Sequence, residues 1–154
     1  MVDQSKAFDR VEWEWLQLVM EKFGFGKRMI GWILSLYKHA NSAIHTNGYT
    51  SEIFPLSRSL RQGSPLGALL YILQAEPFAE TQRKNKNIHG IMAHGEEVKI
   101  SSFADDTQLY ISDEMSLKET WRVLKAYSLA SGAQINKEKN KMHSAWKFEK
   151  QGLI

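Results

Sequence analysis

The chain has 154 residues, of which 43% are hydrophobic and 24% charged, with a formal net charge of +3. This length and composition fit one globular domain with its own core. No apolar run approaches the roughly 20 residues that cross a bilayer, and charged residues close to Met1 are untypical of a signal peptide. The absence of cysteine excludes disulfides, thiolate metal sites and cysteine nucleophiles.

Three helices are predicted in the first half of the chain from apolar residues at helical spacing and from residues that begin or end helices. The first follows an Asp-x-x-Glu capping-box pattern formed by Asp9 and Glu12, and it ends near Gly24. The second begins near Lys27. The third begins near Pro65, since proline is favoured in the first helical turn.

Turn residues predict short strands around and after these helices. Asn47-Gly48 predicts a hairpin between the second and third helices. Pro77 should kink the third helix or end its first part. Strand-like sequence follows from 88 to 112, with a turn at Gly95. Asp105-Asp106 lies between two alternating runs there, so we expect it at or near a hairpin tip.

A fourth helix is predicted between a Ser116-x-x-Glu119 capping box and a stop at Gly132. The order of elements predicts an α+β fold, with helices packed on a small antiparallel sheet. We place the domain in residues 1–141 and interpret 142–154 as a poorly patterned tail. The histidines show no metal-ligand spacing and are interpreted as incidental. Four tryptophans are expected in the core or at its edge: Trp13, Trp15, Trp32 and Trp121.

Asp105 and Asp106 are the residues with the clearest chemical potential. Two carboxylates about 4 Å apart repel by roughly 4 kcal/mol at an effective dielectric of 20. Either they point apart into water as an ordinary surface turn, or a cation offsets the repulsion. Mg²⁺ accepts carboxylates together with substrate phosphates, and two such ions can clamp an in-line phosphoryl displacement. Asp3, after a short strand stub, is the candidate for a third ligand.

Four separated segments carry a family resemblance: Asp3–Val11, Arg61–Leu66, Phe103–Asp106 and Ser131–Lys139. Each motif is weak alone, but together they stand in one order over nearly the whole chain. In that order they resemble the reverse transcriptases of non-LTR (LINE-type) retrotransposons. The resemblance implies a polymerase palm and an RNA-directed DNA polymerase, in which the primer 3′-hydroxyl attacks the α-phosphate of a dNTP. It also implies two Mg²⁺ ions, with Mn²⁺ as an alternative.

The resemblance implies roles for individual residues near the metal ions. Asp3, Asp105 and Asp106 would be catalytic metal ligands, and the Gln4 backbone carbonyl could add another. Phe8 would lie under the sugar of the incoming nucleotide and exclude a 2′-hydroxyl, so that dNTPs are preferred over NTPs. A place in the core is the alternative interpretation of Phe8.

Further roles concern nucleotide binding and proton transfer. Gln62 and Gly63 would pass close to the nucleotide and template, because glycine permits a close backbone approach. Arg61 would reach phosphate or form a surface salt bridge. Lys139 would match a lysine that protonates the pyrophosphate leaving group, with Lys137 as its rival.

The resemblance also implies parts that we do not find in the sequence. The fingers would precede Asp3 and the thumb would follow Lys141, so we expect an incomplete palm without fingers and thumb, and an inactive isolated chain. The expected partners of the parent enzyme are an RNA template, a DNA primer and dNTPs, with no membrane, and the expected location is intracellular, in the nucleus. The alternative is an inactive retroelement remnant that acts at most as a weak nucleic-acid-binding or interaction module. The pI of about 9.1 permits such binding.

Overall fold

A computed structural model describes residues 4–103 and 105–136 of the chain. These residues form helices and short antiparallel strands, which confirms the predicted α+β class. A 3-10 turn at Phe8–Arg10 precedes four helices, α1 Trp13–Lys22, α2 Lys27–Ser35, α3 Pro65–Lys84 and α4 Glu114–Ser131. The strands are β1 Asn41–Ser42, β2 His45–Thr46, β3 Tyr49–Thr50, β4 Phe54–Pro55, β5 Ile91–Ala93, β6 Glu96–Val98, β7 Ile100–Phe103 and β8 Asp106–Leu109.

The strands pair as four separate antiparallel ladders within the described residues. β1 pairs with β4 and β2 with β3, so the segment 41–55 is one long, interrupted hairpin. β5 pairs with β6, and β7 with β8. The prediction of one small sheet is therefore wrong for the described residues, because each strand pairs only with a strand close to it in sequence.

Two of the hairpins turn on a pair of residues in the left-handed region. Asn47 and Gly48 have φ values of 49° and 80°, and His94 and Gly95 have φ values of 53° and 86°. Positive φ at both central residues matches the twist of the flanking strands. The turns predicted at Asn47-Gly48 and Gly95 are thus confirmed.

Most helix boundaries follow the sequence signals. α2 begins at Lys27 and α3 at Pro65, as predicted, and the Ser64 side chain caps α3 by accepting a hydrogen bond from the Gly67 N–H. α4 ends at Gly132, whose φ of 74° closes the helix. α3 runs without interruption through Pro77 to Lys84, so Pro77 does not end its first part; the alternative, a kink at Pro77, stays a prediction.

Both predicted capping boxes are wrong. Asp9 lies in the 3-10 turn, and α1 begins after Glu12 without a side-chain cap. The Glu12 carboxylate instead lies 3.5 Å from Arg58 and packs so closely on Gly132 that an added Cβ would meet it at 2.6 Å. The Glu12 side chain is therefore engaged in contacts with residues distant in sequence and does not cap α1.

The cap of α4 is Asp113, three residues before the predicted position. Its carboxylate accepts hydrogen bonds from the Ser116 backbone N–H and hydroxyl, each at 2.8 Å, and contacts the His89 ring at 3.0 Å. The Ser116 bonds first, and then the His89 ring, hold the pKa of Asp113 well below its usual range. His89 therefore has a structural contact and is not incidental.

The core consists of two clusters that share α3. The first joins α1, α2 and the first half of α3, and the second joins the later half of α3 to α4. The first cluster contains Ala7, Val11, Leu16, Met20, Ile30, Ile33, Tyr37, Leu60, Leu70 and Tyr71. The second contains Phe78, Ile88, Val123, Leu124 and Tyr127. Full burial of such a side chain stabilises a fold by about 1.5–3 kcal/mol.

The tryptophans divide between core and surface. Trp13 and Trp15 pack at the edges of the two clusters, as predicted. Trp32 and Trp121 are 63% and 47% exposed and are not among the described residues packed in either cluster, so the prediction of a place in the core or at its edge is wrong for both. No helix among the described residues has both the length and the apolar character needed to span a membrane.

Candidate functional site

The predicted carboxylate turn is the tip of the β7–β8 hairpin. Phe103 pairs with Asp106 in the antiparallel register, so the hairpin turns between these two residues. Asp105 lies in this turn and is half-buried, whereas Asp106 is the first residue of β8 and is exposed. The prediction that this aspartate pair lies at a hairpin tip is confirmed.

The base of the same hairpin is anchored in the core. Ile100 and Leu109 face each other in the ladder, and both pack against the second cluster. Thr107 is buried at 6% exposure, whereas Phe103 at the tip is 86% exposed. The fold therefore fixes the hairpin at its base and presents the tip to solvent.

The two carboxylates have no charged partner within the described part of the chain. None of the ion pairs there involves Asp105 or Asp106. Two carboxylates that no described basic side chain neutralises form an oxygen donor set that suits a hard divalent ion such as Mg²⁺. The described residues bring together no group of three or more metal-ligating side chains. The predicted third ligand, Asp3, lies outside the described residues.

Gln4 lies beside the segment that follows α4. It forms an antiparallel bridge with Ile135, and the Ser5 N–H donates to the Gln134 carbonyl at 2.8 Å. Ile135 packs against the second cluster, against which the β7–β8 hairpin also packs. The chain just after Asp3 and the base of the aspartate hairpin therefore border the same cluster.

A buried polar network under this region is absent from the sequence predictions. The Tyr127 hydroxyl donates to the Gln74 side-chain oxygen at 3.0 Å, and Trp15 donates to the Gln74 carbonyl at 3.2 Å. Burial raises the pKa of Tyr127, against the opposing effect of hydrogen bonds that include Gln74 and Gln4. A glutamine within the apolar run of α3 was the signal that could have identified this network.

Phe8 lies where the first segment meets the predicted nucleotide-binding turn. Its ring stacks on Tyr71, with centroids 4.5 Å apart and an interplanar angle of 20°. Its carbonyl accepts a hydrogen bond from the Leu60 N–H at 2.9 Å. Phe8 packs against the first cluster but is only half-buried, so part of it remains accessible.

The segment Arg61–Gly63 forms an exposed turn before α3. Gly63 has a φ of 80°, and the Ser64 N–H donates to the Arg61 carbonyl at 3.4 Å. That carbonyl packs on Gly67 so closely that an added Cβ would lie 2.5 Å from it. None of the described ion pairs uses Arg61, so the surface salt bridge considered for it is not formed there.

The predicted site residues thus form two groups held on one scaffold. Phe8 and the Arg61–Gly63 turn adjoin the first cluster, and Gln4 and the aspartate hairpin adjoin the second. α3 contributes to both clusters and packs against β7. The two candidate lysines, Lys137 and Lys139, lie outside the described residues.

The sequence matches the family of reverse transcriptases (RNA-dependent DNA polymerases) over residues 1–152. The match covers almost the whole chain. The chain therefore belongs to the reverse transcriptase family.

Individual relatives confirm the resemblance to non-LTR retrotransposons. The chain is 32% identical, over 90% of its length, to the transposon TX1 uncharacterized 149 kDa protein of Xenopus laevis. It is 25% identical over 76% of its length to the Pol polyprotein of the type-2 retrotransposable element R2DM of Drosophila melanogaster. It is also 25% identical over 90% of its length to the Pol polyprotein of the type-1 retrotransposable element R2 of Popillia japonica. The matched regions are 11%, 11% and 23% of these relatives, so the chain corresponds to a small part of each.

Proposed function

We propose that this chain is the palm segment of an RNA-directed DNA polymerase of a LINE-type retroelement. In this proposal residues 1–141 belong to the palm, and the substrates of the complete enzyme are an RNA template, a DNA primer and dNTPs. A nuclear location would follow from that role. The observation that carries the proposal is the Asp105-Asp106 tip on a hairpin anchored in the core, whose carboxylates form no ion pair with the basic side chains that the structure describes.

The proposed metal site combines this tip with Asp3. Asp105, Asp106 and Asp3 would hold divalent ions, Mg²⁺ or Mn²⁺, with Gln4 contributing its carbonyl. Two bound ions would supply the Lewis acidity that activates the primer hydroxyl and stabilises the leaving pyrophosphate. The bridge between Gln4 and Ile135 supports this grouping, because it anchors the residue after Asp3 at the cluster that also anchors the hairpin.

The proposed nucleotide site lies along the first cluster. Phe8, stacked on Tyr71, would present its ring edge to the sugar and reject a 2′-hydroxyl. Arg61, without an acidic partner among the described residues, would bind phosphate, and Gly63 would allow close passage of the nucleotide. Lys139, or Lys137 in its place, would donate the proton to pyrophosphate.

Metal binding tests the turn directly. We expect Mn²⁺ titrations followed by electron paramagnetic resonance to show binding to the full chain. Asp105→Asn or Asp106→Asn should weaken Mn²⁺ binding about tenfold or more, since each substitution removes one negative charge from the ligands of a doubly charged cation. Glu96→Gln is the matched control, because Glu96 is an exposed carboxylate beside the His94-Gly95 turn.

Equal Mn²⁺ affinity in the wild type and both aspartate variants would refute the metal site. Primer extension on an RNA template with Mg²⁺ is the second measurement. Incorporation that disappears in Asp105→Asn would exclude the alternative of an inactive remnant.

A further inference from the structure

One long stretch of the chain carries charge of a single sign. No acidic residue occurs in the 30 positions between Glu21 and Glu52, although the chain has 17 acidic residues in 154. An even distribution would place about three there. The same stretch contains Lys27 and Arg28 at the start of α2, and Lys38 just after its end. The chain segment that contains α2 therefore carries basic residues and no acidic ones.

These cations differ from many of the other basic side chains because they form no ion pair with an acidic residue that the structure describes. None of the ion pairs among the described residues involves Lys27, Arg28 or Lys38. The pairs that do form use basic residues elsewhere: Arg58, Arg83, Lys84, His89, Lys99, Lys118 and Arg122. Lys27, Arg28 and Lys38 are all exposed, so their charges are available to an anionic ligand.

An exposed aromatic ring lies beside one of these charges. Trp32 is 63% exposed, and the Arg28 guanidinium lies 5.4 Å from its ring centroid. The two residues are four apart on α2, so they share one helix face. Ile30 and Ile33 on the other face are buried in the first cluster, which fixes the orientation of the helix. The Trp32 ring therefore does not serve the core, and another role is needed to explain a large apolar ring at this exposed position.

We propose that the exposed side of α2 and the turn that follows it, with Lys27, Arg28, Trp32 and Lys38, bind single-stranded nucleic acid. Cationic side chains bind the phosphates, and the Trp32 indole and Arg28 guanidinium provide flat surfaces on which unpaired bases stack. The segment between Glu21 and Glu52, which has exposed basic residues and no acidic ones, complements a polyanion. This surface is separate from the aspartate hairpin and does not require a metal ion.

Fluorescence anisotropy of a labelled, single-stranded oligonucleotide of about 16 nucleotides tests this surface on the full chain. We expect Trp32→Ala to weaken binding about tenfold, the effect of losing one stacked base, and Trp32→Phe to restore most of the affinity. Arg28→Gln should reduce the slope of log affinity against log salt by about 0.7, the value for one phosphate contact to a single strand.

Trp121→Ala is the matched control. Trp121 is 47% exposed on α4, but the basic residues near it, Lys118 and Arg122, are paired with Glu114 and Glu119. We expect this variant to bind like the wild type. All substituted side chains are exposed, and circular dichroism will verify that each variant is folded.

Three results would overturn the proposal. The first is equal affinity of Trp32→Ala and wild type, and the second is preferential binding of a duplex of the same sequence. The third is an apolar self-association through Trp32, seen by size-exclusion chromatography without any oligonucleotide binding. The Mn²⁺ titration probes the aspartate hairpin and the anisotropy measurement probes α2, so either proposal can fail without the other.

Discussion

Two helical glycines should respond to alanine with opposite signs. Gly31 lies inside α2 with open space where a Cβ would be, whereas a Cβ on Gly67 in α3 would lie 2.5 Å from the Arg61 carbonyl oxygen. Glycine in a helix interior costs about 1 kcal/mol relative to alanine. Gly31→Ala should therefore raise the free energy of unfolding by up to about 1 kcal/mol.

Gly67→Ala should lower the free energy of unfolding despite the same gain in helix propensity. The Arg61 oxygen is a backbone atom, so relieving the contact requires the whole Arg61–Gly63 turn to move. Forcing extra atoms into a packed site costs about 1–3 kcal/mol, against a gain of at most about 1 kcal/mol. We expect a net loss of about 1 kcal/mol.

Urea unfolding followed by circular dichroism measures both effects. The gap between the variants should be about 2 kcal/mol, or a separation in Tm of about 4–8 °C for a chain of this size. If Gly67→Ala stabilises the protein as much as Gly31→Ala does, the turn is not packed on α3, and the reasoning about its position is wrong.

Two further predictions concern the start of α4. Ser116→Ala removes a buried hydroxyl that accepts a hydrogen bond from the His89 backbone N–H and donates one to Asp113. Urea unfolding should therefore show that the free energy of unfolding falls by about 1–3 kcal/mol. Ser101→Ala, at an exposed serine, is the control, and an equal loss in both variants would refute the reasoning. The lowered pKa of Asp113 contributes stability above the ordinary carboxyl pKa near 4, and this contribution is lost as pH falls below that value. Asp113→Asn keeps a capping side chain, so its Tm deficit at pH 6 should shrink steadily below pH 4, and a constant deficit would contradict this account.

Features set by neighbouring residues were predictable from the sequence. The Asn47-Gly48 turn, the start of α3 at Pro65 and the end of α4 at Gly132 all depend on local φ preferences. The position of the aspartate pair at a hairpin tip was also predictable from its neighbours, because sequence with alternating apolar residues flanks it on both sides.

Features set by distant contacts were not predictable. The Glu12 carboxylate meets Arg58 and Gly132, so a local capping pattern misplaced it. Trp32 was predicted in the core or at its edge, but the buried stripe of α2 is formed by Ile30 and Ile33. The Gln74–Tyr127 hydrogen bond joins α3 to α4 across 53 positions; a glutamine in an apolar run indicates a buried polar contact, but not which distant residue forms it.

The continuous course of α3 restricts where the chain can change in length. Its 20 residues extend for about 30 Å, with the Arg61–Gly63 turn at one end and contacts to β7 and the second cluster farther along. Deleting one residue within it would rotate everything beyond by about 100° and withdraw Phe78 from its neighbours. Insertions and deletions between relatives should therefore concentrate at the tips of the exposed hairpins, Asn47-Gly48 and His94-Gly95, and be absent between positions 65 and 84.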